Sequence, residues 1–420
     1  MKKYDSYKDS GIEWIGKIPS HWESWKISHA FDRIGSGTTP ESGNPEYHEN
    51  GTVNWLNTGD LNDGILFECN KKITEKALED YSSLKLFPSG SLVIAMYGAT
   101  IGKTALLEFE TTTNQACCVF CESDIIKLRF LQYWFVGNKE HIINLAIGGG
   151  QPNISQNILK DVRVPCPKFE EQTAIANFLD HKTAQIDDLI AKKERLIALL
   201  EEERTATINQ AVTKGLDPTV PMKDSGIEWL GEIPKHWEVK RMKYLCEITT
   251  GSKDTENRED DGLYPFFVRS QTIERISSYS FDGEAILTAG DGVGVCKVWH
   301  YVNEKFDFHQ RVYMLCNFQH VLGKYLFYYL KENFGKEVMK LSAKSTVDSL
   351  RRPMFQNFMV CFGSIEEQNQ IVLKIEKEEK RIYSILTKTL QEIELLKEYK
   401  TALISEVVTG KVDVRNEKLN

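Results

Sequence analysis

The tripeptide Glu170-Glu171-Gln172 opens a run that reaches Lys214, and Glu366-Glu367-Gln368 opens a second that reaches Thr409, with no Pro or Gly inside either. In the first, apolar residues recur at Ile175, Leu179, Ile186, Ile190, Ile197, Leu200, Ile208 and Ala211. In the second they recur at Ile371, Ile375, Ile382, Leu386, Ile393, Leu396, Leu403 and Val407. Steps of three and four over this length predict long helices, and a near-heptad stripe predicts a helical partner for each. At 1.5 Å per residue each would reach roughly 65 Å, too long for the core of a globule. Each reads as a spacer.

Outward from the helices, the sequence repeats. Residues 8–23 read KDSGIEWIGKIPSHWE and residues 223–238 read KDSGIEWLGEIPKHWE, identical at thirteen of sixteen positions. The chain is therefore a tandem duplication, each copy a Trp-rich lead, a globular segment and a long helix. The expected division is 1–165 for the first lead and domain and 166–217 for the central helix. Residues 218–362 form the second lead and domain, 363–413 the last helix, and 414–420 a polar tail. The fold class is α+β: two globular domains joined by two long helices in an antiparallel coiled coil, with pseudo-twofold symmetry from the duplication.

Inside the globular segments, 91–96 and 116–120 read as strands and 130–146 as a helix. In the second, 266–268 and 285–288 read as apolar runs and 322–341 as a helix. The two match faintly: Gly98–Gly102 parallels Gly290–Gly294, 113–115 parallels 308–310, and 151–155 parallels 346–350. A repeated framework around diverged bodies suits the reading of two different things at a fixed separation.

Composition sets bounds. With 41% hydrophobic residues the chain can bury real cores. No signal peptide or membrane span is visible, so a cytoplasmic location is expected. The nine cysteines are scattered, and the lone Cys118–Cys121 pair falls in an expected strand. Net charge is −8, of which the two long helices carry −5, leaving the rest nearly balanced.

Motifs of catalysis are incomplete. Gly98-Ala99-Thr100-Ile101-Gly102-Lys103-Thr104 has three residues between its glycines, where a phosphate loop needs four. Asn44-Pro45-Glu46-Tyr47 has Glu46 where amino-methyltransferases carry a second Pro. His21 and His236 recur beside Trp22 and Trp237, as parts of a packed lead rather than ligands. No nucleophile–base or paired-carboxylate arrangement can be assigned, which favours a binding protein over an enzyme. Loop residues that can bond base edges or phosphates remain. In the first segment these are Thr38, Thr39, Asn57, Thr58, Tyr97, Thr100, Lys103, Gln151 and Asn153. In the second they are Lys253, Arg269, Ser270, Gln271, Lys344, Ser345, Thr346, Arg351 and Arg352.

The lead at 9–23 and 224–238, the Glu-Glu-Gln starts, and the closers at 211–213 and 407–410 together resemble the specificity subunit of Type I restriction–modification systems. The stretches GSGTTP…YHENGTVNWLNTGDL (35–61) and FHQRVYML (308–315) look like the same family. One departure is Lys168-Phe169, where a Leu-Pro pair is frequent; the second copy has Gly363-Ser364-Ile365. The resemblance implies two target-recognition domains, each reading half of a split double-stranded DNA sequence, with the helices setting the gap. It implies a subunit without catalysis or cofactor of its own. Two modification subunits would methylate adenine with S-adenosylmethionine, and restriction subunits would use ATP and Mg. Two other readings stay open: a coiled-coil scaffold without DNA specificity, and a self-sufficient adenine methyltransferase.

Overall fold

The computed structural model describes residues 2–146, 153–340 and 349–417. Two compact units divide the chain: 1–193 with 391–420, and 194–390. The expected long helices are present as Phe169–Lys214 and Ile365–Val408, of 46 and 44 residues. Each unit holds one end of each helix.

In unit 1 a five-stranded sheet runs in the order Ile34–Gly35, Cys117–Phe120, Leu92–Ala95, Thr104–Leu107, Gly64–Leu66. Its neighbours are antiparallel except the last pair. A smaller sheet places Val53–Leu56 between Thr112–Thr113 and Lys72–Ile73. Leu92–Ala95 and Cys117–Phe120 are buried throughout, because they carry apolar side chains on both faces. Cys118 faces the larger core and Cys121 the smaller, so the alternation of the strand separates them. The helix expected at 130–146 is two helices, Leu128–Gly137 and Lys139–Asn144. Asn138 lies between them at φ −123°, ψ 22°, its side chain donating to Trp134 O at 2.8 Å. That bond competes with continuation of the helix.

Unit 2 has a six-stranded sheet: Glu247–Thr250, Val312–Cys316, Phe281–Ala289, Trp299–Phe308, Tyr264–Phe267, Ile273–Ile276. Only Tyr264–Phe267 and Trp299–Phe308 run parallel. Behind it lies the helix Gly323–Lys340.

The repeated lead is a small hairpin in each unit, Tyr7–Asp9 with Lys17–Pro19 and Met222–Asp224 with Glu232–Pro234. Asp9 Oδ1 accepts from Gly11 N at 2.8 Å, and Asp224 Oδ1 from Gly226 N at 2.9 Å. Gly11 and Gly226 follow at φ +71° and +72°, a conformation that excludes most side chains. The fully buried Trp22 and Trp237 then dock against the long helices. Glu171 accepts from Tyr4 Oη (2.8 Å), Trp22 Nε1 (3.1 Å) and His21 Nε2 (2.8 Å). Glu367 accepts from Trp237 Nε1 (2.9 Å) and His236 Nε2 (3.0 Å).

The neighbouring glutamines join each helix to its globular domain. Gln172 accepts from Lys127 N (2.7 Å) and donates to Ile125 O (2.8 Å); Gln368 accepts from Leu322 N (2.8 Å) and donates to His320 O (3.0 Å). In the recurring Glu-Glu-Gln the Gln is thus a buried joint and the second Glu a docking point for the Trp, while Glu170 and Glu366 are exposed.

Within unit 1 the helix ends run antiparallel: Lys400 Nζ pairs with Asp187 at 2.6 Å, and Lys193 with Glu392. Within unit 2, Arg381 Nη2 pairs with Glu203 at 2.5 Å, while Ile208 and Val212 share a core with Ile371 and Ile375. Among the described residues, no helix is long and apolar enough to cross a membrane.

Candidate nucleic-acid interface

In each unit a glycine lets one loop lie directly against the end of a strand. A Cβ on Gly37 would stand 1.8 Å from Thr113 O, and one on Gly251 would stand 2.0 Å from Phe308 O. A second loop follows the central strand of the sheet and bridges a distant segment: Tyr97 pairs with Asn153, and Asp291 with Ser349. Gly98 and Gly292 come next, at φ +83° and +73°. The equivalence is therefore Gly98 with Gly292, two residues away from the Gly290 suggested by sequence. The two units share these loop positions and differ in nearly every side chain on them.

In unit 1 the loops meet through Asn114 and Gln115. Thr39 Oγ1 donates to Gln115 Oε1 at 2.6 Å, and Trp55 Nε1 donates to Thr38 O at 3.1 Å. Asn114 Nδ2 donates to Asn57 Oδ1 at 3.2 Å, while Asp60 accepts from Asn57 N at 2.9 Å and closes the turn that starts at Thr58. Met96 N donates to Ala116 O at 2.8 Å, which brings Tyr97 alongside Gln115. Burial and nearby Cys117 push the Tyr97 hydroxyl above its ordinary pKa, with Gln115 opposing. Thr38, Thr39, Asn57, Thr58, Tyr97 and Asn153 thus form one neighbourhood. Thr100 and Lys103 join it only through the backbone turn that Lys103 N closes onto Thr100 O at 2.9 Å. Gln151 lies outside the described residues.

Unit 2 fills the same positions with charge. Asp291 accepts from Arg269 Nη1 at 2.9 Å and from Arg311 Nη1 at 2.8 Å. Burial pushes the Asp291 carboxyl upward, but the two guanidiniums outweigh it and hold its pKa below the ordinary value. Beneath them His309 is 2% exposed and accepts from Arg311 N through Nδ1 at 2.9 Å. Burial first, then Arg269 and Arg311, lower its pKa, so it stands neutral with its proton on Nε2. Lys253 bridges His309, and its Nζ lies 4.0 Å from the buried Asp307. Gln310 Nε2 donates to Asp254 at 2.7 Å. Ser270 and Gln271 form an exposed turn, held by Ser270 Oγ to Thr272 O (3.1 Å) and Gln271 Nε2 to Lys297 O (3.1 Å). Arg351 and Arg352 are exposed just beyond the Ser349 bridge. Lys344, Ser345 and Thr346 lie outside the described residues.

Sequence reasoning missed Asn114, Gln115, Asp291, Gln310 and Arg311. The available signal was the faint parallel of 113–115 with 308–310, which marks the strand end against which the glycine loop lies in both units. The two loop edges offer amides, hydroxyls and a fixed pair of guanidiniums, which suit base edges and phosphates.

Comparison with known proteins agrees with this architecture. Residues 19–199 and 234–395 match the family model described as Type I restriction modification DNA specificity domain. The Type I restriction enzyme MjaIX specificity subunit of Methanocaldococcus jannaschii is 30% identical over 247 residues, 57% of this chain and 54% of that one. The MjaVIII specificity subunit of the same organism is 23% identical over 427 residues, 95% of each chain. The chain thus spans about half of the first relative and nearly all of the second. Among solved structures, a chain from work on complex assembly and conformational transition of the type I R-M system superposes with a TM-score of 0.73 at 14% identity, covering 94% of this chain and 99% of that one. At that identity the likeness concerns the fold. With two matched segments that take in most of its length, the chain belongs to the family of Type I restriction–modification DNA specificity subunits.

Proposed function

We propose that each unit reads one half of a split double-stranded DNA target and that the paired helices set the gap between the halves. The observation that carries this reading is the repeated loop edge: one backbone framework, two unlike sets of side chains. Thr38, Thr39, Asn57, Thr58, Tyr97, Thr100, Lys103 and Asn153 of unit 1, with Gln151, face one half-site. Lys253, Arg269, Ser270, Gln271, Arg351 and Arg352 of unit 2, with Lys344, Ser345 and Thr346, face the other.

The chain recognises and does not catalyse. Its partners in this reading are two modification subunits, which bring S-adenosylmethionine and methylate adenine, and restriction subunits, which bring ATP and Mg. Much of the phosphate contact comes from the modification subunits, which reconciles DNA binding with a net charge of −8. The chain itself holds no cofactor in this scheme.

The test is methyl transfer from radiolabelled S-adenosylmethionine to DNA. The purified chain alone is expected to transfer nothing, and the chain mixed with its modification subunit to methylate specific sites. Transfer by the chain alone would support the methyltransferase reading instead. A stable complex without site preference would support the scaffold.

A further inference from the structure

Unit 2's arginines differ in how their donors are used. Arg275 donates Nε and Nη2 to the carbonyls of Gly262 and Leu263, both at 3.0 Å. Arg415 donates Nε and Nη2 to Asp413 in unit 1. These guanidiniums are occupied structural forks. Arg269 and Arg311 each give a single Nη1 to Asp291 and, among the described residues, no other hydrogen bond from the side chain. Their side chains are 41% and 59% exposed. The Nε–Nη2 edge of each is therefore available, and that edge matches the two acceptors, O6 and N7, that guanine presents in the major groove.

The brace is built from several directions. Gly290 N donates to Arg311 O at 2.8 Å, and Leu350 N donates to Gly290 O at 2.7 Å. A Cβ on Gly294 would stand 2.4 Å from Arg269 O, so the loop that carries Asp291 is seated on the Arg269 backbone. Two guanidiniums on one carboxylate leave a net positive charge on partly exposed side chains. A phosphate contact needs charge but little orientation, and a mobile Lys serves it. Tethering two planar forks to one carboxylate restrains them, and such restraint suits a base edge. The place of Asp291 is taken in unit 1 by Tyr97, which bridges Asn153 as Asp291 bridges Ser349 and carries no acid to brace an arginine. The described arginines of unit 1 lie elsewhere: Arg33 bonds Leu86 O, Arg129 bonds Asp180, Arg163 bonds Ser24 O and Arg415 bonds Asp413.

We infer that Arg311, with Arg269 beside it and Asp291 as the positioning residue for both, reads guanine in the half-site taken by unit 2. The inference rests on the DNA-reading role proposed above and adds the base class and the residues that select it.

The experiment uses the full chain co-expressed with its modification subunit in a host free of adenine methylation, with methyladenine mapped by sequencing. Arg311→Ala is expected to abolish the preference at one G·C pair in one half only, where discrimination of roughly 5- to 150-fold collapses toward one. Asp291→Asn is expected to relax the same pair partially, with the other half unchanged. Arg311→Gln keeps a side chain of similar reach and is expected to lose guanine preference at that pair. An unchanged motif with methylation uniformly reduced would make Arg311 a phosphate contact and overturn the inference. So would loss of preference at a pair without guanine, or in both halves. A wild-type complex that methylates with no motif at all would overturn the DNA-reading role, and this inference with it.

Discussion

Glu171 is the residue on which the geometry of unit 1 converges. Its side chain is 8% exposed and serves three donors, whereas Glu367 is 25% exposed and serves two. Glu171→Gln turns an amide toward one of those donors and is expected to cost about 2 kcal/mol, and Glu367→Gln about 1 kcal/mol. Denaturant midpoints of the two variants check the order; equal losses would mean that the buried donors are not the cause. His309 makes a second residue-scale expectation. Its pKa is lowered in the folded state, by burial and by Arg269 and Arg311, with Asp254 and Asp291 opposing. The unfolded chain therefore binds a proton that the folded chain refuses, so stability from this group is complete above about pH 6.5 and falls as pH drops toward the lowered value. His300, lowered by burial, acts in the same sense. The unfolding temperature of unit 2 is expected to fall between about pH 7.5 and 5.5. His309→Gln, which can still accept from Arg311 N, should flatten that slope, and an unaltered slope would exclude His309 as its source.

At the scale of elements, the long helices were legible because period and length alone define them: Phe169–Lys214 differs from the sequence reading by one residue at its start, and Ile365–Val408 by one residue at each end. The lead was legible as a repeat, but its meaning was not. That Trp22 and Trp237 donate to Glu171 and Glu367 depends on contacts about 150 and 130 residues apart in sequence. The break at Asn138 was hidden because its cause is a side chain bonding one turn back, in a run whose apolar periodicity continues past it. Among the candidate loop residues, most of those in unit 1 come together in space, but the residues that join them, Asn114 and Gln115, are ordinary polar residues beside a strand. Asp291 escaped notice because an acid argues against DNA until its two arginines are seen. The helices carry their own prediction. Four residues inserted into one of them add about 6 Å, close to two base-pair steps, and should lengthen the unread gap while both half-sequences persist. Altered half-sequences would contradict the spacer role.

For the whole molecule, duplication implies that one copy holds all the parts of a half. Residues 1–217 contain one lead, one globular domain and one long helix, and are expected to dimerise and to direct methylation to a palindromic split site. Sedimentation of a well-folded, strictly monomeric fragment would count against this. The most direct test of the central claim is the methylation motif of the intact chain with its modification subunit, sequenced from a host that has no adenine methylation. Two short, unlike sequences across a fixed gap are expected, one for each loop edge. A continuous motif, or methylation without any motif from a soluble complex, would contradict the account.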